Sequence, residues 1–532
     1  MTTQLHILFV RTPAGPTPIN LSRQYTATLI AESKIVQLKK LGPGPAPSSE
    51  HFGVASFHTL YGANGSGKTQ LLLDVRQTFS YGSNEKPLGI FFSSNGEEQI
   101  YQGQILGGWT VTIEGRPLHR TKRPPDVASV FYTTSPFEFA RRNRFIAPNA
   151  LDVSPSVGHS VSFDGLALLG KYDVLPASIR ERARIKVRTS IMTLDQIAEQ
   201  FISPLRQRNS VDEKRISLTK LRYFIIKWLE SLDIETQHFL RVGVARSQTE
   251  NTNYHWRDHA CELFTKYSEV LGTENFPDGD SQAILRHLVI IISSGDEQWE
   301  TRTRKLSDYC LRLFPKGNKR ARGPLTLDSF AEFIGAQSET ERSLASSAAK
   351  SGILSFTVSN MSSGETAYMV LLASLSGAIK TLEAPSPKPT FFLIDEGEMF
   401  MHPEWQRSYI SKILGLLRDS QALAEYMHVL ITTHSLIVAG DSPPNTLINV
   451  DSGEHTNGFG LGPKFILKNV YGVESFAGSL TAELLAKLDR YMSSRNSDVT
   501  TDEAAYLAKS LADHDLQEYV KKEIIRRGGS VD

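Results

Sequence analysis

The stretch Ser56-Phe-His-Thr-Leu-Tyr-Gly62-Ala-Asn64-Gly65-Ser66-Gly67-Lys68-Thr69-Gln-Leu-Leu-Leu-Asp74 constrains this chain more than any other. A short apolar run gives way to a glycine-rich turn and then to a leucine-rich segment, the order of a strand, a phosphate loop and a helix. The core, Gly62-x4-Gly67-Lys68-Thr69, is a pattern whose backbone N–H groups point inward and cradle phosphates. Gly62, Gly65 and Gly67 let the backbone curl where a Cβ would clash. Lys68 is expected to reach the β- and γ-phosphates, and Thr69 to offer its hydroxyl to Mg²⁺. The helix that starts here turns its positive dipole end toward the same place. A ligand-free glycine turn is the bland alternative, but the strand before it and the helix after it favour nucleotide binding.

Composition sets outer bounds. The 532 residues are enough for several domains or for one elaborated head. The formal net charge of +1 gives no global attraction to nucleic acid or membrane, so any such binding must come from local patches. Cys261 and Cys310 stand far apart and in no metal-ligand spacing, which excludes a disulfide scaffold and makes a reducing cytoplasm the expected compartment. No apolar run approaches the roughly 20 residues that a membrane span needs, so a transporter with its channel in the same chain is not expected.

Along the chain, residues 4–10 and roughly 24–38 read as strands, with Pro/Gly-rich loops between and after them, most clearly from Gly42 to Glu50. Leu88–Phe92, Gln99–Ile105 and Trp109–Ile113, joined by turns at Ser94-Asn-Gly and Glu114-Gly-Arg-Pro, read as a meander of hairpins. Val127–Tyr132 reads as a buried strand ending in Thr133-Thr134-Ser135-Pro136. Between 140 and 350, apolar positions at helical spacing predict helices over 193–207, 213–232, 256–271, 281–293, 297–313 and 326–336, without sustained heptads. Basic clusters stand at Arg141-Arg142-Asn-Arg144, Arg180 to Arg188 and Lys316 to Arg322. Solvated helix faces explain most such clusters, and a nucleic-acid surface is the sharper alternative. Further on, Leu447–Val450 and Lys464–Leu467 read as edge strands, and 479–493 and 502–526 as helices.

Three further motifs follow the phosphate loop. Met361-Ser362-Ser363-Gly364-Glu365 is a polar loop opening an apolar helix. Thr390-Phe-Phe-Leu-Ile-Asp395-Glu396 is an apolar strand with two acids at its carboxyl end, where ligands bind in parallel sheets. There Asp395 is expected to hold Mg²⁺ and Glu396 to polarise the attacking water. Met427–Ser435 is a buried strand ending at His434.

In this order the four motifs resemble the head of ABC/SMC-type ATPases, as does the Asn64-Gly65-Ser66 interior of the first. Asp395-Glu396-x-Glu398-x3-His402-Pro403 is similar to the AAA_21/OLD-like group, with Gly397 where that group usually has proline. The resemblance implies an α/β fold: a P-loop head with a mixed central sheet, an antiparallel β subdomain and a helical insertion. Its expected divisions are 1–140, an insertion over 141–350, the second half of the head over 351–450 and a helical tail over 451–532. It implies that ATP binds with Mg²⁺ between two copies. One copy supplies Lys68, Thr69, Asp395 and Glu396, the other Ser362, Ser363, Gly364 and Glu365. His434 matches the switch histidine that contacts the γ-phosphate, His402 is expected to shape the dimer interface, and Thr134 or Ser135 stands where a glutamine often reaches the metal. The tail is too short and too helical for the Toprim domain of OLD-family nucleases, so no nuclease site is expected.

A head of this size without a coiled-coil arm looks like the ATPase subunit of anti-phage systems of Septu, retron-associated or PARIS type. That resemblance implies a homodimer or larger even assembly and a nuclease or toxin partner such as an HNH or Toprim protein. A DNA repair ATPase clamping duplex ends, with Arg182, Arg184 and Lys186 as contacts, is the alternative. A peripheral transporter ATPase fits least.

Overall fold

A computed structural model describes residues 3–22, 24–41, 53–81, 83, 85–135, 147, 149–155, 163–171, 175, 177–207, 217–250, 255–272, 278–294, 296–314, 325–329, 338–382, 387–473, 478–494 and 498–530. Seven strands form the central sheet, in the order Ala150–Asp152, Ala128–Thr133, Thr390–Asp395, Met427–Thr432, Ser56–Tyr61, Leu447–Asn449 and His455–Thr456. Every neighbouring pair is parallel except the last. Strands covered on both faces have no solvent side, which is why 128–133, 390–395 and 427–432 are buried at every position and read as unbroken apolar runs. One row of partners crosses the carboxyl ends: Thr133 opposite Asp395, Asp395 opposite Thr432, Thr432 opposite Leu60.

The helix Lys68–Phe79 covers one face of this sheet and shares a core with strands of the N-terminal residues, through Leu71, Leu72 and Val75 against Leu8, Val10 and Ile90. The other face carries the helices Ser363–Leu382 and Pro403–Arg418. Phe163–Lys171 packs beside the first of these so closely that a Cβ on Gly165 would overlap the carbonyl oxygen of Ala373.

The N-terminal residues build two sheets rather than one meander. The first has the order His119–Arg120, Glu97–Tyr101, Gly89–Ser94, Thr3–Thr12, Gly15–Asn20; the second Tyr25–Ile30, Ile35–Lys40, Thr110–Ile113, Arg116–Pro117. Thr110–Ile113 leaves the expected meander to pair in parallel with Ile35–Lys40. Gly15–Asn20, expected as loop, is an edge strand, a sheet position that tolerates Pro16 and Pro18. A register shift between Leu5 and Ile7 exchanges the faces of the first strand. Beyond it Leu8 and Val10 join the core of the helix Lys68–Phe79, while Ile7 and Phe9 pack against Val36 and Val111 of the second sheet.

The insertion is mostly helical, as its periodicity predicts, over Leu194–Gln207, Leu218–Ser231, Trp256–Lys266 with Ser268–Leu271, Asp278–Ser293 and Trp299–Leu313. It also holds a helix over Ile234–Glu250 and the strand Arg184–Thr189. That strand runs antiparallel between Leu325–Ser329 and Leu354–Ser359. The helix expected at 326–336 is therefore a strand where it is described, because pairing across the sheet overrides local spacing. Residues 330–336, 213–216, the loop from Gly42 to Glu50, and the basic clusters at 141–144 and 316–322 lie outside the described residues.

In the tail, 464–467 is helix rather than edge strand: Gly462 and Pro463 open Pro463–Asn469, and Ile466 and Val470 bury together beside Leu447. Residues 502–526 form two helices, Thr501–Lys509 and His514–Arg526, the second capped by Asp513. With Ser479–Ser493 they make a three-helix unit around Leu488, Tyr491, Val520 and Ile524. No helix among the described residues is long and apolar enough to cross a membrane.

The contact at Gly165 yields a test. Gly165→Ala is expected to lower unfolding stability by about 1–3 kcal/mol, as overpacking does; a denaturant midpoint equal to wild type would show that the two helices are not locked together.

Candidate active site

Gly65 and Gly67 adopt φ of 81° and 89°, the left-handed region that glycine reaches without strain, and no atom stands within 4 Å of a Cβ placed on either. Ala63, Asn64, Gly65 and Gly67 are exposed, Ser66 half-buried, and Lys68 buried. The Lys68 ammonium donates to the carbonyls of Gly62 at 3.1 Å and Ala63 at 3.0 Å and lies 3.5 Å from Ser66 Oγ. Burial lowers its pKa, opposed by the negative field of Glu396, Asp451 and Asp395. Asp451 was not singled out by the sequence, where it is one acid in a surface turn. Its carboxylate accepts from the Ala63 N–H at 2.8 Å, and a Cβ on Gly62 would stand 2.7 Å from it. The hairpin of Leu447–Asn449 and His455–Thr456 thus fastens the far side of the loop.

Asp395 collects three threonine hydroxyls from three separate segments. Thr69 donates at 3.0 and 3.1 Å, Thr133 at 3.0 Å and Thr432 at 2.8 Å. Burial raises the Asp395 pKa and the three hydroxyl bonds oppose the rise. The Thr432 hydroxyl also accepts from the Glu396 N–H at 3.0 Å, fixing the next residue. Glu396 sits at φ 47°, unusual for a residue with a Cβ, and this reversal brings Oε1 to 3.3 Å from His434 Nε2. The bond from His434 lowers the Glu396 pKa against the opposing effect of burial, with the charges of His434 and Lys68 adding to it. Glu396 is therefore ionised at neutral pH, the form that accepts a proton.

The turn after the acids has its own buried network. Gly397 leaves room for Tyr409: a Cβ there would meet the tyrosine hydroxyl at 2.5 Å and Ile394 Cγ2 at 2.7 Å. The tyrosine accounts for the departure from proline at 397. Glu398 is buried, accepts from the Thr433 hydroxyl, and so braces the residue before His434. Thr433 Oγ1 in turn accepts from the Ser435 N–H at 2.9 Å, which pins the other side of His434. Burial pushes the Glu398 pKa up from 4.5 to about 7. The second oxygen of Glu398 and the hydroxyls of Tyr132 and Tyr409 have no hydrogen-bond partner among the described residues.

Other expectations divide. Thr133, one residue earlier than expected, is the side chain that reaches Asp395; Thr134 instead donates to the Glu396 carbonyl at 3.2 Å, and Ser135 bonds through its main chain to Thr133. His402 caps Pro403–Arg418, accepting from the Glu404 N–H at 3.3 Å. Ser362 and Ser363 are exposed, and Gly364 and Glu365 are buried. Ser362 Oγ accepts from the Glu365 N–H at 3.2 Å while the Glu365 carboxylate accepts from the Ser362 N–H at 2.7 Å, a capping box. The serine's own O–H remains available as a donor. A Cβ on Gly364 would stand 2.7 Å from the Phe400 carbonyl, so this helix start leans on the turn after the acids. No hydrogen bond or ion pair joins residues 362–365 to residues 62–69 among the described residues.

The donor set suits Mg²⁺. Thr69 Oγ1 and the Asp395 carboxylate are hard oxygen ligands in contact, and Mg²⁺ takes one or two protein carboxylates and completes its shell with water and phosphate oxygens. No group of three His, Cys, Asp or Glu side chains fit to hold a metal occurs among the described residues.

A family profile described as "AAA domain, putative AbiEii toxin, Type IV TA system" matches residues 290–439, a span that holds Ser362, Asp395, Glu396 and His434 but not the phosphate loop. No curated protein matches the chain. The match supports an ABC/SMC-like P-loop ATPase, with nucleotide binding and ATP hydrolysis as its general activity.

Two outcomes are expected here. The folded chain holds the Glu398 proton more tightly than the unfolded chain, so this contribution is full below about pH 4.5 and is lost as pH rises through about 7, a change of roughly 3 kcal/mol. Glu398→Gln should flatten the fall in melting temperature between about pH 5 and about pH 7; an unaltered slope would place the titration elsewhere. Gly397→Ala should cost about 1–3 kcal/mol by overpacking. Adding Tyr409→Phe should recover part of that cost, and an equal loss in both backgrounds would acquit the hydroxyl.

Proposed function

We propose that this chain binds ATP with Mg²⁺ and hydrolyses it in a site completed by a second copy, and that it serves as sensor and scaffold of an anti-phage complex controlling a nuclease or toxin subunit. The observation that carries the catalytic part is the meeting of Thr69 with Asp395 and of Glu396 with His434 at the carboxyl end of one parallel sheet.

Lys68 and the open amides of the loop bind and orient the phosphates; Thr69 and Asp395 would hold Mg²⁺, which when bound neutralises charge on the phosphate oxygens. Glu396 takes hydrogen bonds from a water and orients it toward the terminal phosphate. His434 keeps that carboxylate ionised and aimed, and Glu398, through Thr433, keeps His434 in place. The exposed Ser362 and Ser363 at a helix start, turned to solvent and unlinked to their own chain's loop, support a second copy as the group that closes the site. The defence role rests on the resemblance of the motif set, on the family match and on the lack of heptad arms in the sequence.

Glu396→Gln tests the core of this reading. Hydrolysis should fall at least about 100-fold, ATP affinity should stay within a few-fold, and light scattering should show an ATP-dependent doubling of mass that persists in the variant. Turnover at the wild-type rate would remove Glu396 from its role, and an ATP-bound monomer would remove the shared site.

A further inference from the structure

We infer that the outer strand Tyr25–Ile30 of the second N-terminal sheet is an open pairing edge. Its occupant is the same strand of a second copy of this chain, antiparallel about a two-fold axis through Thr28.

The direction of each main-chain group follows from the ladder. Ile35–Lys40 lies between Tyr25–Ile30 and Thr110–Ile113. The Thr110 and Glu114 N–H groups donate to the carbonyls of Lys34 at 2.9 Å and Leu38 at 3.1 Å, so the even-numbered residues of this middle segment face Thr110–Ile113. Its odd-numbered residues face Tyr25–Ile30, and the Leu41 N–H accordingly donates to the Gln24 carbonyl at 2.7 Å. Thr26 stands opposite Lys39, Thr28 opposite Gln37 and Ile30 opposite Ile35, so these three turn their N–H and C=O into the sheet. Those of Ala27 and Leu29 point the other way, past the edge, and make no hydrogen bond among the described residues.

A strand with free pairing groups invites another strand unless proline, charge, a bulge or shortness prevents it. The other outer strands are protected. Gly15–Asn20 carries Pro16 and Pro18; His119–Arg120, Arg116–Pro117 and His455–Thr456 have two residues each, and Ala150–Asp152 three. Leu325–Ser329 carries Asp328, and Leu354–Ser359 exposes no residue. Tyr25–Ile30 has six residues without charge or proline, no register shift against its neighbour, and exposed side chains at Thr28 and Ile30.

This edge is complementary to itself. Tyr25 is 4% exposed, so the reachable donors and acceptors are those of Ala27 and Leu29. A two-fold axis through Thr28 sets Ala27 of each copy against Leu29 of the other, and each such pair exchanges two hydrogen bonds. On the outer face Thr28 meets its own counterpart and Thr26 meets Ile30, β-branched pairs that strands favour. With no charged residue in the strand, no like charges are opposed. Ala27 and Leu29, only partly buried at the margin of the core that holds Val36 and Leu38, gain cover from the same residues of the second copy. The two sheets become one. So short a joint is weak alone. It does not rest on the ATP reading, since its core contains no residue of the phosphate loop or of 362–365. Where ATP closes two copies, as proposed above, the edge joins such pairs into larger even assemblies, each contact strengthening the other.

Sedimentation velocity of the full chain without nucleotide, from about 1 to about 200 µM, tests the pairing. Wild type should pass from monomer toward dimer as concentration rises. Ala27→Pro removes an outward N–H and leaves the ladder to Ile35–Lys40 whole; it should weaken the association about 10-fold or more. If that variant melts early, cysteine mapping decides, since Cys261 and Cys310 are both buried. Under mild oxidation Thr28→Cys should link two copies, because its counterparts stand about 4.5 Å apart at Cα. Ile30→Cys, also exposed, should not, because its counterparts are roughly 14 Å apart. A chain that stays monomeric over the range overturns the second copy as occupant and assigns the edge to a different strand. Undiminished association of a folded Ala27→Pro, or linking at Ile30→Cys as fast as at Thr28→Cys, overturns the edge. A mass that doubles only when ATP is added overturns it too and leaves the ATP-closed pair standing. Concentration-driven pairing with no further ATP-dependent doubling keeps the edge and removes the shared ATP site.

Discussion

The carboxylate of Asp395 is the point on which the arrangement turns. It is buried at the end of the third strand of the central sheet, where a lone charge would be expelled, and it survives because three hydroxyls from residues 69, 133 and 432 aim at it. Two of these donors come from flanking strands in exact cross-sheet register, and the third from the first turn of the loop helix. The same bonds that satisfy the charge lock the loop to the acid pair across more than three hundred residues of sequence.

The two glutamates that follow show how environment divides one residue type into two roles. Glu396 turns outward through a left-handed backbone step and meets His434, whose hydrogen bond holds it ionised. Glu398, two residues on, turns inward, and burial raises its pKa to about 7. The first is fitted to accept protons from water and the second to brace the threonine beside His434. Gly397 between them stands where a Cβ would meet the Tyr409 hydroxyl and Ile394.

Around this centre the cores are separate. One group of insertion side chains packs around Trp228, Phe264 and Trp299, and the tail around Tyr491 and Ile524, in clusters distinct from the core beneath the central sheet. Other parts of the insertion share the core of the central sheet: Ile185, Val187 and Phe356 of the three-stranded sheet, Leu166 and Leu169 of Phe163–Lys171, Val242 of Ile234–Glu250 and Tyr309 and Cys310 of Trp299–Leu313 lie in one cluster with Phe392 and Ile394 of the central strands. The insertion is therefore packed directly onto the head through this sheet and these helices.

The phosphate loop, the acid pair, the helix start at Ser362 and His434 were legible in sequence because each is a local pattern whose chemistry is carried by residue type and spacing. The buried parallel strands were legible for the same reason: solvent exclusion on both faces writes a contiguous apolar run. Asp451, Thr133, Thr432 and Glu398 were not legible in their roles, since a hydroxyl or a carboxyl acquires meaning only from what faces it after the chain has closed. The strand at 325–329 and the helix at 463–469 were misread because pairing partners and capping outweigh short-range periodicity. Local covalent pattern therefore marked the turns and strand ends that carry these polar groups, and the fold alone decided which of them share one carboxylate, because cross-strand register is a property of segments distant in sequence.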